Sequence, residues 1–100
     1  MPWQRVCFVD DIKDGQIYGA DLEGLRVMLT KDGQAIYANS RNCLHAGADL
    51  GNGDLVGTVV TCPLHFWKFD TVDGHCVQIP QAKIKNFPVK IENSEVYVDA

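Results

Sequence analysis

Nowhere in these 100 residues does an apolar run approach the length needed to span a membrane. The opening Met1-Pro2-Trp3-Gln4-Arg5 also lacks the basic, then apolar, then small-residue order of a secretion signal, so a soluble cytoplasmic protein is expected. Basic residues are scarce as well. Nine Lys and Arg stand against thirteen Asp and Glu, for a net charge of −4, and no cluster among them could track a phosphate backbone. Neither nucleic acid nor membrane is expected as a partner. Helical periodicity is missing too, because no stretch repeats apolar residues at spacings of three and four over several turns. Linkers and internal repeats are absent.

What is present is strand pattern. A hydrophobic fraction of 46% in a chain of this length suits one small domain with a modest core, here taken as residues 1–100. Trp3 to Val9 reads as a first strand, with apolar residues on both parities, and the charged stretch Asp10 to Gly15 ends it. Leu25 to Thr30 and Gln34 to Ala38 form a hairpin about Lys31-Asp32-Gly33, where glycine suits a positive φ. Leu55 to Thr61 reads as one strand, and Phe66 to Phe69 as an apolar strand whose rings could wall off whatever lies beside it. Ile84 to Glu92 alternates, Asn93-Ser94 turns, and Glu95 to Asp99 closes a terminal hairpin at the base of the molecule. The expected class is all-β.

Chemistry concentrates in two short loops. Cys43-Leu44-His45 is separated from Cys62-Pro63-Leu64-His65 by residues 46–61, about the length an intervening hairpin needs. Thiolate and imidazole both suit zinc and iron, so a bare count of two Cys and two His does not choose the metal. Arrangement is more telling. Structural zinc sites usually take both cysteines from one knuckle, whereas here each loop offers one Cys and one His. Disulfides are not expected, since two of the four cysteines sit beside histidines at metal spacing. Cys7 and Cys76 read as small buried apolar residues, and His75, away from the paired loops, as a solvated turn residue.

The C-x-H and C-x-x-H pair, Pro63 within the second loop, and Phe69-Asp70 followed by Asp73-Gly74 resemble a Rieske-type 2Fe-2S ferredoxin over essentially the whole chain. The resemblance implies antiparallel sheets forming a basal part, with a smaller cluster-binding part at one tip, about residues 40–80. It implies one 2Fe-2S cluster held by Cys43 and Cys62 on one iron and by His45 and His65 on the other. It further implies a proline-bearing third loop around Pro80, and electron exit by the histidine edges. A zinc-stabilised interaction module is the main competitor from another class; a fragment of an oxygenase α subunit has no room for a catalytic iron domain.

Departures from the family narrow the expectation. Rieske proteins of respiratory and photosynthetic complexes carry an extra cysteine in each loop, plus a serine and a tyrosine. The corresponding positions here are Ala48, Leu64, Trp67 and Phe69. Without those hydroxyl donors the potential should fall at the low end of the ~ −150 to +300 mV span of such centres. The resemblance then implies a monomeric, non-catalytic carrier between an NAD(P)H-dependent reductase and a terminal oxygenase. Dioxygenase ferredoxins usually have glycine after the second histidine; Phe66 here leans the resemblance toward toluene-type monooxygenase ferredoxins, with dioxygenase ferredoxins second and a nitrite reductase small subunit behind. Net acidity suits transient docking to a more basic surface.

Overall fold

The computed structural model describes residues 3–44, 47–64 and 66–100. Among these residues ten strands run in chain order: β1 (Trp3–Phe8), β2 (Tyr18–Leu22), β3 (Leu25–Asp32), β4 (Ala35–Ser40), β5 (Asp54–Val56), β6 (Val59–Thr61), β7 (Lys68–Asp70), β8 (Asn86–Phe87), β9 (Val89–Glu92) and β10 (Glu95–Asp99). Two short 3-10 turns, Val9–Asp11 and Leu50–Asn52, are the helical elements among the described residues. The strands form three antiparallel sheets with orders β1-β10-β9, β2-β3-β4-β8 and β5-β6-β7.

The middle sheet separates two cores, and β3 explains why. Its unbroken apolar run Val27-Met28-Leu29 has no polar side because both faces are covered. Val27 and Leu29 pack with Ala38, Phe87, Cys7, Ile12, Val96 and Val98 into a basal core. Met28 points the other way, into a second core with Cys43, Leu50, Val60, Cys62, Phe69, Cys76 and Ile84. One strand thus couples the base to the loops that carry the chemistry.

Local sequence accounts for most of the turns. Asn93 and Ser94, at φ 53° and 65°, make the tight reversal between β9 and β10, with Glu92 opposite Glu95. The register between β1 and β10 shifts between Arg5 and Cys7, and this bulge lets the adjacent Val6 and Cys7 both turn toward the basal core. That is why β1 shows apolar residues on both parities.

Three expectations need correction. Leu55 to Thr61 is not one strand: β5 and β6 pair across the Gly57-Thr58 turn, with Val56 opposite Val59 and Gly57 at φ 60°. Ile84 to Glu92 is interrupted at Pro88, which supplies no N–H to a ladder, so β8 joins the middle sheet and β9 the basal one. The expected strand over Phe66 to Phe69 begins only at Lys68, because Phe66 lies in a turn.

Gly74 holds the end of β7 against the segment that returns from the third loop. Its N–H donates to the Asp70 carbonyl at 2.7 Å, and its own carbonyl accepts from the Ile84 N–H at 2.9 Å. Its φ is 87°, and a Cβ there would stand 2.3 Å from the Ile84 carbonyl oxygen. Gly74→Ala should therefore lower the unfolding free energy by about 2–4 kcal/mol, read from urea denaturation. A loss below about 0.5 kcal/mol would contradict this packing.

Candidate metal centre

Two loops with different ligand spacing close in the same way. In the first, the Cys43 N–H donates to the Ala48 carbonyl at 2.8 Å, and the Cys43 carbonyl accepts from the Gly47 N–H at 2.9 Å. In the second, the Cys62 N–H donates to the Trp67 carbonyl at 2.7 Å, and the Cys62 carbonyl accepts from the Phe66 N–H at 3.1 Å. Each cysteine is thus stapled to the residues four and five positions beyond it. Both cysteines are buried, at 2% and 0% exposure, and both belong to the second core. His45 and His65 lie outside the described residues.

The fourth position in each staple has left-handed backbone. Gly47 has φ 65°, natural for glycine, and Phe66 has φ 60°, which costs a residue with a side chain about 1–2 kcal/mol. Phe66 is nonetheless 68% exposed, so it does not wall the site from water. That task falls to Phe69, fully buried, and to Trp67, half-buried against the second core. Leu64, at one of the positions that departs from the respiratory pattern, is exposed, and Ala48 packs on the second core.

Two residues that sequence reasoning missed anchor the loops. Asp49 follows the first loop and accepts from the Gly51 N–H at 2.8 Å. Its carboxylate pairs with Arg26 of β3 at 2.7 Å and with Arg41 at 3.0 Å, while Arg41 reaches Asp21 of β2 at 3.0 Å. Burial by itself would push the Asp49 carboxyl up, but the Gly51 N–H, the Arg26 hydrogen bond and the two guanidinium charges outweigh it and hold it below the usual carboxylate range. Gln78 performs the matching task on the second loop. Its amide donates to the Phe66 carbonyl at 3.2 Å and accepts from the Lys68 N–H at 3.0 Å and from the Cys76 thiol at 3.5 Å. A proline-bearing third loop, 76–83, is thereby tied beside the second ligand loop, with Pro80 exposed. The sequence signal for Asp49 was a carboxylate close behind the first ligand loop, whereas Gln78, thirteen residues beyond His65, left none.

The remaining candidates play structural parts. Cys7 and Cys76 are buried free thiols in the two cores, as small apolar residues would be. Burial, reinforced by Asp11 nearby, pushes the Cys7 thiol up to about 11, so it stays protonated and inert. His75 is half-buried rather than freely solvated, bridged by backbone to Lys83 and hydrogen-bonded through its ring to Asp73.

A model of the Rieske [2Fe-2S] domain matches residues 2–88. The chain belongs to the Rieske family. The ferredoxin component of naphthalene 1,2-dioxygenase/salicylate 5-hydroxylase systems from Ralstonia sp is 37% identical over 95 residues, covering 94% of this chain and 91% of the relative. Among solved structures, the ferredoxin of carbazole 1,9a-dioxygenase from Nocardioides aromaticivorans IC177 superposes with a TM-score of 0.90 at 31% identity, covering 98% of this chain and 97% of that one. A ferredoxin-sized chain in a complex of reduced oxygenase and oxidized ferredoxin in carbazole 1,9a-dioxygenase gives 0.89 at 30%, covering 96% and 91%. These relatives stand on the dioxygenase side, against the lean drawn from Phe66. The geometry supplies the reason: Phe66 adopts the backbone that glycine would, so its identity does not mark a different loop. The Rieske fold itself, antiparallel sheets with a smaller sheet carrying the second ligand loop, is as expected.

The described residues fit a Rieske cluster. Two sulfurs, equivalently placed in two loops and buried in one apolar core, match a pair of thiolates on an inner iron, whose positive charge would offset the cost of burying theirs. Each backbone staple satisfies the cysteine's own N–H and carbonyl.

Replacing Phe66 with glycine removes the left-handed penalty and little buried surface. Phe66→Gly should raise the unfolding free energy by about 0.5–1 kcal/mol in urea titrations, and a loss of stability would show that the ring packs in a way its exposure denies. Asp49 sets a pH dependence. Because its folded pKa is lowered, its contribution is complete above the unfolded carboxylate pKa and is lost as pH falls through the folded one. Asp49→Asn should thus cost about 1–2 kcal/mol at neutral pH, with the gap to wild type closing below about pH 4. A gap that is constant with pH would contradict the assignment.

Proposed function

We propose that this chain is the ferredoxin of a ring-hydroxylating dioxygenase system, one Rieske domain over residues 1–100 with its cluster part at about 40–80. Cys43 and Cys62 hold one iron of a 2Fe-2S cluster, and His45 and His65 hold the other. It takes single electrons from an NAD(P)H-dependent reductase and delivers them to the terminal oxygenase, oxidising no organic substrate itself. The observation that carries the reading is the matched stapling of the two loops, which presents one buried sulfur from each at equivalent positions.

When bound, such a cluster supplies one-electron redox chemistry, and the protein's contribution is to hold it still and partly dry. The staples fix the cysteine backbones, so little reorganisation accompanies a change of charge. Phe69, Leu50 and Val60 exclude water on the inner side. On the outer side Leu44, Leu64 and Phe66 are exposed, leaving the loop tips free to approach a partner. Phe69 and Trp67 offer no hydroxyl to the sulfurs, which favours a potential toward the negative end of the Rieske span. The relatives' systems, named for naphthalene and carbazole dioxygenation, support an aromatic-ring-hydroxylating partner.

The test is reconstitution. Purified protein should be coloured, accept one electron per chain, and support dihydroxylation of an aromatic substrate only when reductase and oxygenase components are both added. Cys62→Ser should abolish both colour and electron uptake. A colourless, zinc-loaded preparation would defeat the reading in favour of an interaction module, and turnover by the chain alone would defeat it in favour of an enzyme.

A further inference from the structure

The net charge of −4 is not spread over the end that carries the ligand loops. Residues 42–48 and 62–67, the two ligand loops, contain no Asp, Glu, Lys or Arg, and the third loop, 76–83, carries a single charge, Lys83, at its far end. Their exposed side chains are apolar instead: Leu44 at 54%, Leu64 at 57%, Phe66 at 68%, Val77 at 47% and Ile79 at 42%. Phe66 keeps its ring in solvent despite strained backbone, and strain of that kind concentrates where a residue is used. The second loop and the third are contiguous, because the Val77 N–H donates to the Lys68 carbonyl at 2.7 Å and Gln78 bonds Phe66.

This surface continues into a groove of about 380 Å³ lined by Val56, Val59, Thr61, Lys68 and Val77. Lys68 is the one charged residue in that lining. Arg5, Arg26, Arg41 and Lys90 each have a carboxylate within ion-pair distance; among the described residues Lys68 does not, nor do Lys13, Lys31, Lys83 and Lys85. Of these unpaired lysines Lys68 is the one in the groove lining. An unpaired ammonium beside exposed valines, next to the second ligand loop, favours an acidic group on whatever docks there.

We propose that the groove and the adjoining loop tips form the docking face for the terminal oxygenase, which presents an apolar side chain to Val56, Val59 and Val77 and a carboxylate to Lys68. The assignment rests on the electron-carrier reading above, and it opposes what the total charge implies: the partner's contact surface is locally acidic rather than basic.

Lys68→Glu and a control at the basal end, Lys13→Glu, both change the net charge to −4 − 2 = −6. Both residues are exposed, and an unchanged visible spectrum and midpoint potential verify an intact cluster. In NAD(P)H-driven turnover at low salt, Lys68→Glu should raise the half-saturating ferredoxin concentration by about tenfold or more and Lys13→Glu by less than about twofold. Equal effects of the two variants, or tighter binding by Lys68→Glu, would overturn the proposal. A second arm needs no oxygenase. Oxidation of dithionite-reduced protein by ferricyanide, an anion, should slow as salt is added in wild type and Lys13→Glu, and quicken in Lys68→Glu. Wild type that quickens with salt, as total charge dictates, would also overturn it. Wild type that takes up an electron yet supports no oxygenase turnover defeats the functional reading instead, and the ferricyanide arm still decides the local charge.

Discussion

Two pairs of main-chain hydrogen bonds, one pair per ligand loop, are the constraint on which the rest of the molecule depends. They make loops of unequal ligand spacing, C-x-H and C-x-x-H, close over the same number of residues and deliver their cysteines to one core. Everything else holds those staples in register. Asp49 ties the first loop to β3 and, through Arg41, to β2. Gln78 ties the second loop to the third. Met28 packs into the core beneath both loops, from a strand whose other face is the centre of the basal core.

The two cysteine-bearing loops stood out in the sequence more sharply than the individual strands around them. Thiolate and imidazole at close spacing are rare enough to stand out, and the terminal hairpin announced itself by alternation about Asn93-Ser94. Other elements left weaker traces. β2, Tyr18-Gly19-Ala20-Asp21-Leu22, has no β-branched residue and contains a glycine, so its place in the sheet comes from pairing with β3 rather than from propensity. The β5 and β6 strands are three residues each, too short for the turn between them to be read from one apolar run. Phe66 misled twice, since an aromatic beside Trp67 looks like strand and an absent glycine looks like a different loop. Both inferences assumed that the residue would keep to ordinary backbone.

Substitution at four positions separates this chain from the respiratory pattern without disturbing the frame. Ala48 and Trp67 still supply the carbonyls that close the staples, a main-chain task indifferent to side chain. Phe69 fills core volume that a tyrosine ring would also fill, without its hydroxyl. Backbone geometry and electronic tuning are thus carried by different atoms of the same residues. Charge is divided in a similar way. The acidic residues that keep the molecule negative lie outside the three loops, and the loop end is left apolar beside Lys68.

The most direct test is Mössbauer spectroscopy of protein enriched in the iron isotope and reduced by one electron. Two inequivalent irons are predicted, a ferric site with sulfur ligands and a ferrous site whose parameters reflect nitrogen ligation. A ferrous site whose parameters match all-thiolate ligation, or no iron in a zinc-loaded chain, would contradict the assignment of one cysteine and one histidine from each loop to opposite ends of a single cluster.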